Sequence, residues 1–131
     1  MKTIKGKFDL SATPLELDKA IQKLGGIRMI FEKQFFGSIE AKSNVSMLGV
    51  MNKGLGSGSY VALEIIEGTV EGLSGSFGMQ HSSSMLRGKS EQSISVIPDS
   101  GTGELSGISG KMIIDIVDGQ HFYTFEYSLK N

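Results

Sequence analysis

Along most of this chain apolar residues return at every second position, a period that fits a strand and not a helix. Between Thr3 and Leu10, Ile4, Phe8 and Leu10 fall on one side, opposite Lys5, Lys7 and Asp9. Ile27, Met29, Phe31 and Phe35 share a face that Lys33 interrupts, while Ile30 and Phe36 make the other face partly apolar. Ile39, Ala41, Val45, Met47 and Met51 form the next stripe, with Gly49 marking a bulge or corner. Phe77, Met79, His81, Ser83 and Met85 form another, and Tyr123, Phe125, Tyr127 and Leu129 the last. Turn-forming residues separate these runs at Gly37-Ser38, Lys53–Ser59, Gly72–Gly75 and Pro98-Asp99-Ser100-Gly101. Asp118-Gly119 is the dipeptide preferred in two-residue hairpins. Residues 60–67 read as one strand ending at Gly68, with 69–71 opening the next, and 86–97 as a single strand.

The expected fold is all-β: about eight antiparallel strands at a spacing near ten residues, in one domain spanning residues 1–131. A closed barrel is favoured over a sandwich, because closure removes the exposed edges of so many apolar strands. Eight strands just close a barrel whose interior is either filled by side chains or holds one small ligand. The chain has 18 Gly and 2 Pro. Glycines set between alternating apolar residues punctuate a sheet and do not make a linker.

One stretch departs from period two. Thr13-Pro14-Leu15-Glu16 has the form of a capping box with proline at the first helical position. Leu17, Ala20, Ile21 and Leu24 follow at helical spacing, and Gly25-Gly26 is a stop signal. The pattern predicts at most one short helix, near residues 14–24.

Composition bears on function mainly by exclusion. Thirteen basic and 14 acidic residues give a net charge of −1 with the lysines scattered, so there is no footprint for nucleic acid or a membrane surface. No run approaches the ~20 apolar residues of a membrane span, and the first ten residues do not form a signal peptide. The absence of cysteine excludes disulfides and thiolate chemistry and agrees with a reducing compartment; a cytoplasmic location is expected. The two histidines, His81 and His121, are forty residues apart with no carboxylate at a telling spacing, so neither a metal site nor a cofactor is expected, and His121 is expected at the surface beside a turn. Ser82-Ser83-Ser84 lacks the setting of a nucleophile elbow.

Four polar residues are candidates to meet a ligand in the lumen: Glu64, Gln80, His81 and Tyr127. A carboxylate facing the lumen would be desolvated, which marks a functional group, but residues 60–67 are apolar on both faces, so the direction of Glu64 stays open. His81 stands in an apolar stripe, either as an acid–base or ligand-orienting group or as a core histidine bonded to a neighbouring strand. Met47, Met51, Met79, Met85 and Met112 either soften a cavity or fill the core.

Gly72–Ser82 and Val96–Gly110, together with Phe36-Gly37-Ser38-Ile39-Glu40 and Leu63-Glu64 before Glu67-Gly68, resemble a bacterial family known only as a domain of unknown function. That family is in turn similar to the allene-oxide-cyclase-like and dirigent-like barrels, a likeness carried by Gly101-Thr102-Gly103-Glu104-Leu105. The resemblance implies a closed barrel and an extended loop after the first strand, and it carries over no catalytic residue. Read as a phosphate loop, residues 101–110 lack both the Lys-Ser/Thr ending and a following helix, so a β-corner is expected there. Three functions follow as expectations: binding of a small apolar molecule in the lumen, a cyclase or isomerase acting on a lipid-like substrate, or a structural homo-oligomer. The last would cover apolar side chains left outside the barrel by residues 27–36 and 60–67.

Overall fold

The period-two stripes become the inner wall of a barrel in the computed structural model, which describes residues 1–129. Eight strands follow one another: β1 (Lys2–Leu15), β2 (Gly26–Gly37), β3 (Ile39–Asn52), β4 (Ser57–Val70), β5 (Leu73–Leu86), β6 (Lys89–Val96), β7 (Ile108–Val117) and β8 (Gln120–Leu129). Each pairs antiparallel with the next, and β8 closes on β1 through pairs such as Ile4 with Phe125. The all-β closed barrel expected from the sequence is the fold observed.

The helix is shorter than its local pattern predicts. Thr13, Pro14 and Leu15 continue β1, paired with Ile30, Met29 and Arg28 of β2. Only Lys19–Lys23 (α1) is helical, and its cap is Asp18, whose carboxylate accepts from the Ile21 backbone N–H at 3.2 Å. A helix this short gains little on its own, so ladder pairing takes the residues of the apparent capping box. Gly25, at φ +85°, ends α1 as its position suggests. Two strand boundaries also move. β4 runs through Gly68 to Val70, and the turn is Glu71-Gly72; Arg87-Gly88 divides residues 86–97 into the end of β5 and all of β6. Both turns, like Asp118-Gly119, have positive φ at two successive residues, the hairpin geometry that follows the twist of the strands.

The two ends of the barrel differ. At the end holding the Glu71-Gly72 turn the lumen is packed with Ile4, Ile39, Ile66, Val70, Phe77, Ile108 and Phe125. The glycine-rich 101–110 segment is the plug of this end. Its short 3-10 turn, Gly103–Leu105, drives Leu105 into the core, 1% exposed. Gly75 lets the plug approach: a Cβ there would lie 2.1 Å from the Thr102 carbonyl oxygen. Tyr123 fastens the corner between β2 and β3, its hydroxyl donating to the Phe36 carbonyl at 3.0 Å and accepting from the Ile39 N–H at 2.9 Å.

At the other end the inward stripes lose their cover. Past the core, Met29, Phe31, Met47, Tyr60, Ser83 and Ile114 are only half-buried, and Gln92 and Ile116 are exposed. β6 and β7 separate toward this mouth, pairing only through Ile94 with Met112 and Ser95 with Lys111. Outside, Leu48, Val61, Leu63 and Ile65 leave an exposed apolar row across β3 and β4. Replacing Tyr123 by Phe leaves the Ile39 N–H and the Phe36 carbonyl without their partner. It should lower stability by about 1–3 kcal/mol in urea unfolding, with no change in the m-value.

Candidate functional site

Between the packed end and the mouth, four polar side chains meet on the inner wall. Lys33 comes from β2, Ser43 from β3, Glu64 from β4 and His81 from β5. All four are buried. Each stands at an inward position of its own alternation: Lys33 between Phe31 and Phe35, Ser43 between Ala41 and Val45, Glu64 between Ala62 and Ile66, and His81 between Met79 and Ser83. Pairing of four consecutive strands brings together residues 48 positions apart in the chain, from 33 to 81.

Glu64 is the centre. Ser43 Oγ donates to its Oε2 at 2.6 Å, and Lys33 Nζ lies 3.3 Å from Oε2 and 3.4 Å from Oε1. His81 Nε2 is 2.7 Å from Oε1. Burial alone would push the Glu64 carboxyl up. The His81 hydrogen bond, the Lys33 charge and the Ser43 hydroxyl together outweigh it and hold the carboxyl below its ordinary range. Glu64 is therefore a carboxylate that can only accept, so His81 Nε2 carries the proton. His81 Nδ1 makes no hydrogen bond among the described residues. No fully buried side-chain nitrogen or oxygen lacks a partner there, so Nδ1 is not completely enclosed.

The other charge of the cluster is held less firmly. Burial pulls the Lys33 ammonium down, and the attraction of Glu64 restores it only in part. Its Nζ sits 4.5 Å from the centre of the Phe8 ring and 5.6 Å from that of Phe35, aromatic faces that favour a cation. Phe8 in turn packs on the His121 ring, 5.2 Å between centres. His121 is thus half-buried and faces inward near the mouth, where the sequence placed it on the surface.

Of the four residues singled out from the sequence, the structure brings two together, Glu64 and His81. Gln80 is exposed and points outward, into a groove shared with Leu48, Val61 and Leu63. Strand alternation requires this, since Gln80 and His81 are neighbours and cannot both face the lumen. Tyr127 faces inward but at the packed end, where its hydroxyl donates to Glu71 and its pKa is pushed up to about 12 by burial and that carboxylate. Glu71 is separated from Glu64 by roughly 20 Å of strand. Lys33 and Ser43 were missed as site residues. Their signal was present: each is a polar residue at an inward position of an otherwise apolar stripe.

Fold and site together define a closed eight-stranded barrel with one packed end, one open end and an ionic cluster at the floor of the opening. The family model for a protein of unknown function, DUF3224, matches residues 4–127, and the chain belongs to that family. A crystal structure of a DUF3224 protein of unknown function from Shewanella oneidensis MR-1 is similar throughout. It has 40% sequence identity and a TM-score of 0.91 over 100% of this chain and 99% of that one. No curated protein matches the chain. No helix among the described residues is long and apolar enough to cross a membrane.

Replacing Glu64 by Gln strands the Lys33 ammonium and should cost about 3–5 kcal/mol at neutral pH. The pH dependence has a definite sign. A carboxyl held below its ordinary value of 4.5 contributes stability that is fully present above that pH and is lost as pH falls through the folded-state value. The stability difference between wild type and Glu64→Gln, read from urea unfolding, should therefore shrink as pH is lowered below 4.5.

Proposed function

We propose that this barrel binds a small, largely apolar molecule in the open half of its lumen, with an uncharged polar head resting on the Lys33–Glu64–His81 cluster. The observation that carries this reading is the change along the inner stripes. Past Val45 and Ala62 the inward side chains lose burial: Met29, Phe31, Met47, Tyr60 and Ile114 are half-buried and mostly apolar, and Gln92 and Ile116 are exposed. An apolar wall with a few convergent polar groups is the usual make-up of a small-molecule site. The charges of Lys33 and Glu64 cancel, which favours a neutral head over an ion. A spare N–H on Lys33 and the free Nδ1 of His81 supply one donor and one acceptor, suited to a hydroxyl or a carbonyl.

A second reading has one observation in its favour. Glu64 and His81 both face inward and bond to each other, an acid–base arrangement that the resemblance to allene-oxide-cyclase-like barrels would use on a lipid-like substrate. Turnover of such a substrate, with loss on replacing His81 by Asn, would distinguish it from binding alone.

The binding reading is tested with a neutral apolar dye, N-phenyl-1-naphthylamine, titrated by fluorescence. Phe31→Ala should weaken binding by at least ~1 kcal/mol, about fivefold. Leu63→Ala, on the exterior, should leave it unchanged. Equal effects of the two substitutions would put the dye on the outer surface and overturn the proposal.

A further inference from the structure

We propose that the polar head is a carbonyl group and that Lys33 captures it as a reversible imine. This rests on the binding reading above and assigns the chemical class of its ligand: apolar aldehydes or ketones. Every other described lysine is exposed, whereas Lys33 is 7% exposed and stands on the inner wall. Its partner Glu64 is buried with it, and burying such a pair gains little over packing apolar side chains in the same space. The amine therefore calls for a chemical account. A guanidinium would hold Glu64 as well or better, but it cannot lose its proton. A buried lysine can, and only then is its nitrogen a nucleophile.

The surroundings of Nζ suit each stage of the reaction. Glu64 Oε2, 3.3 Å away, takes a proton from the ammonium. The free amine attacks the carbonyl carbon, the C=O π pair moves to oxygen, and a proton passes from nitrogen to that oxygen to give a carbinolamine. Glu64 returns its proton to the hydroxyl, the C–O bond breaks, water leaves and the nitrogen lone pair forms the C=N bond. The balance is R–CHO plus Lys–NH3+ giving Lys–NH+=CH–R plus water, with no oxidant or reductant. The product cation occupies the place of the ammonium, beside the Glu64 carboxylate and the Phe8 and Phe35 faces that already hold a positive charge. The lowered proton affinity of Lys33 adds to this geometry by making the free amine easier to form than at an exposed lysine.

The experiment uses the intact protein, cinnamaldehyde and sodium cyanoborohydride at neutral pH, followed by peptide mapping. Calorimetric titrations with cinnamaldehyde and with cinnamyl alcohol run in parallel. Labelling should be confined to Lys33 at first and proceed at least about tenfold faster there than at any exposed lysine. It should disperse over all lysines in denaturant, and Lys33→Arg should abolish the fast label. If both compounds bind but Lys33 is labelled no faster than the surface lysines, the imine is overturned and lumen binding survives. If neither compound binds and no fast label forms, both readings fall.

Discussion

The carboxylate of Glu64, closed off from solvent inside the wall of the barrel, sets a condition that several other parts of the structure must meet together. A buried charge is tolerated only when it is paired and its lone pairs are satisfied. Here the partners come from three other strands, so β2, β3, β4 and β5 must hold a single register for any one of the contacts to exist. A slip of one residue in β4 would turn Glu64 outward and Leu63 or Ile65 inward, and would leave Lys33 buried without a counter-charge. The cluster thus penalises wrong pairings in strands that alternation specifies poorly, since β4 is apolar on both faces.

The same register explains why the barrel is closed at one end and open at the other. Below the cluster, inward positions carry large apolar side chains, and Leu105 and Tyr123 finish the packing from a plug and a corner. Above it, Met29, Phe31, Met47, Tyr60 and Ser83 stand at inward positions of β2 to β5 and are only half-buried. Burial of the inward positions is complete near the ionic cluster and falls off toward the mouth. The glycine-rich 101–110 segment belongs to the packed end and acts mechanically: its glycines permit the close approach to β5 that seats Leu105.

Much of this was legible from alternation alone. The stripes ending in Leu129 and in Met85 marked the inward faces of β8 and β5, and with them the burial of His81. The helix was misjudged because a capping-box sequence is a local signal, while residues 13–15 are decided by pairing with β2. Gln80 was misassigned because polar character was weighed ahead of position, although its neighbour His81 already occupied the inward face. The direction of Glu64 could not be read from β4, where both faces are apolar. It could be read only with Lys33, whose place among Met29, Phe31 and Phe35 makes an inward cation that needs an inward anion, and that pairing lies between strands which are not adjacent.

The cluster is hard to account for as a device for stability. Lys33, Ser43, Glu64 and His81 occupy space that four apolar side chains could fill at no greater cost, and such replacements are often neutral or stabilising. Its value in fixing register could be met more simply by a neutral hydrogen-bonded pair. What a neutral pair would lack is the combination present here: a cation that burial makes easier to discharge, an anion in contact with it, and an imidazole nitrogen left unbonded. All three lie beneath apolar walls that remain partly open. A buried amine that its surroundings make easier to deprotonate, set beside an anion, is an ordinary condition of reactive sites.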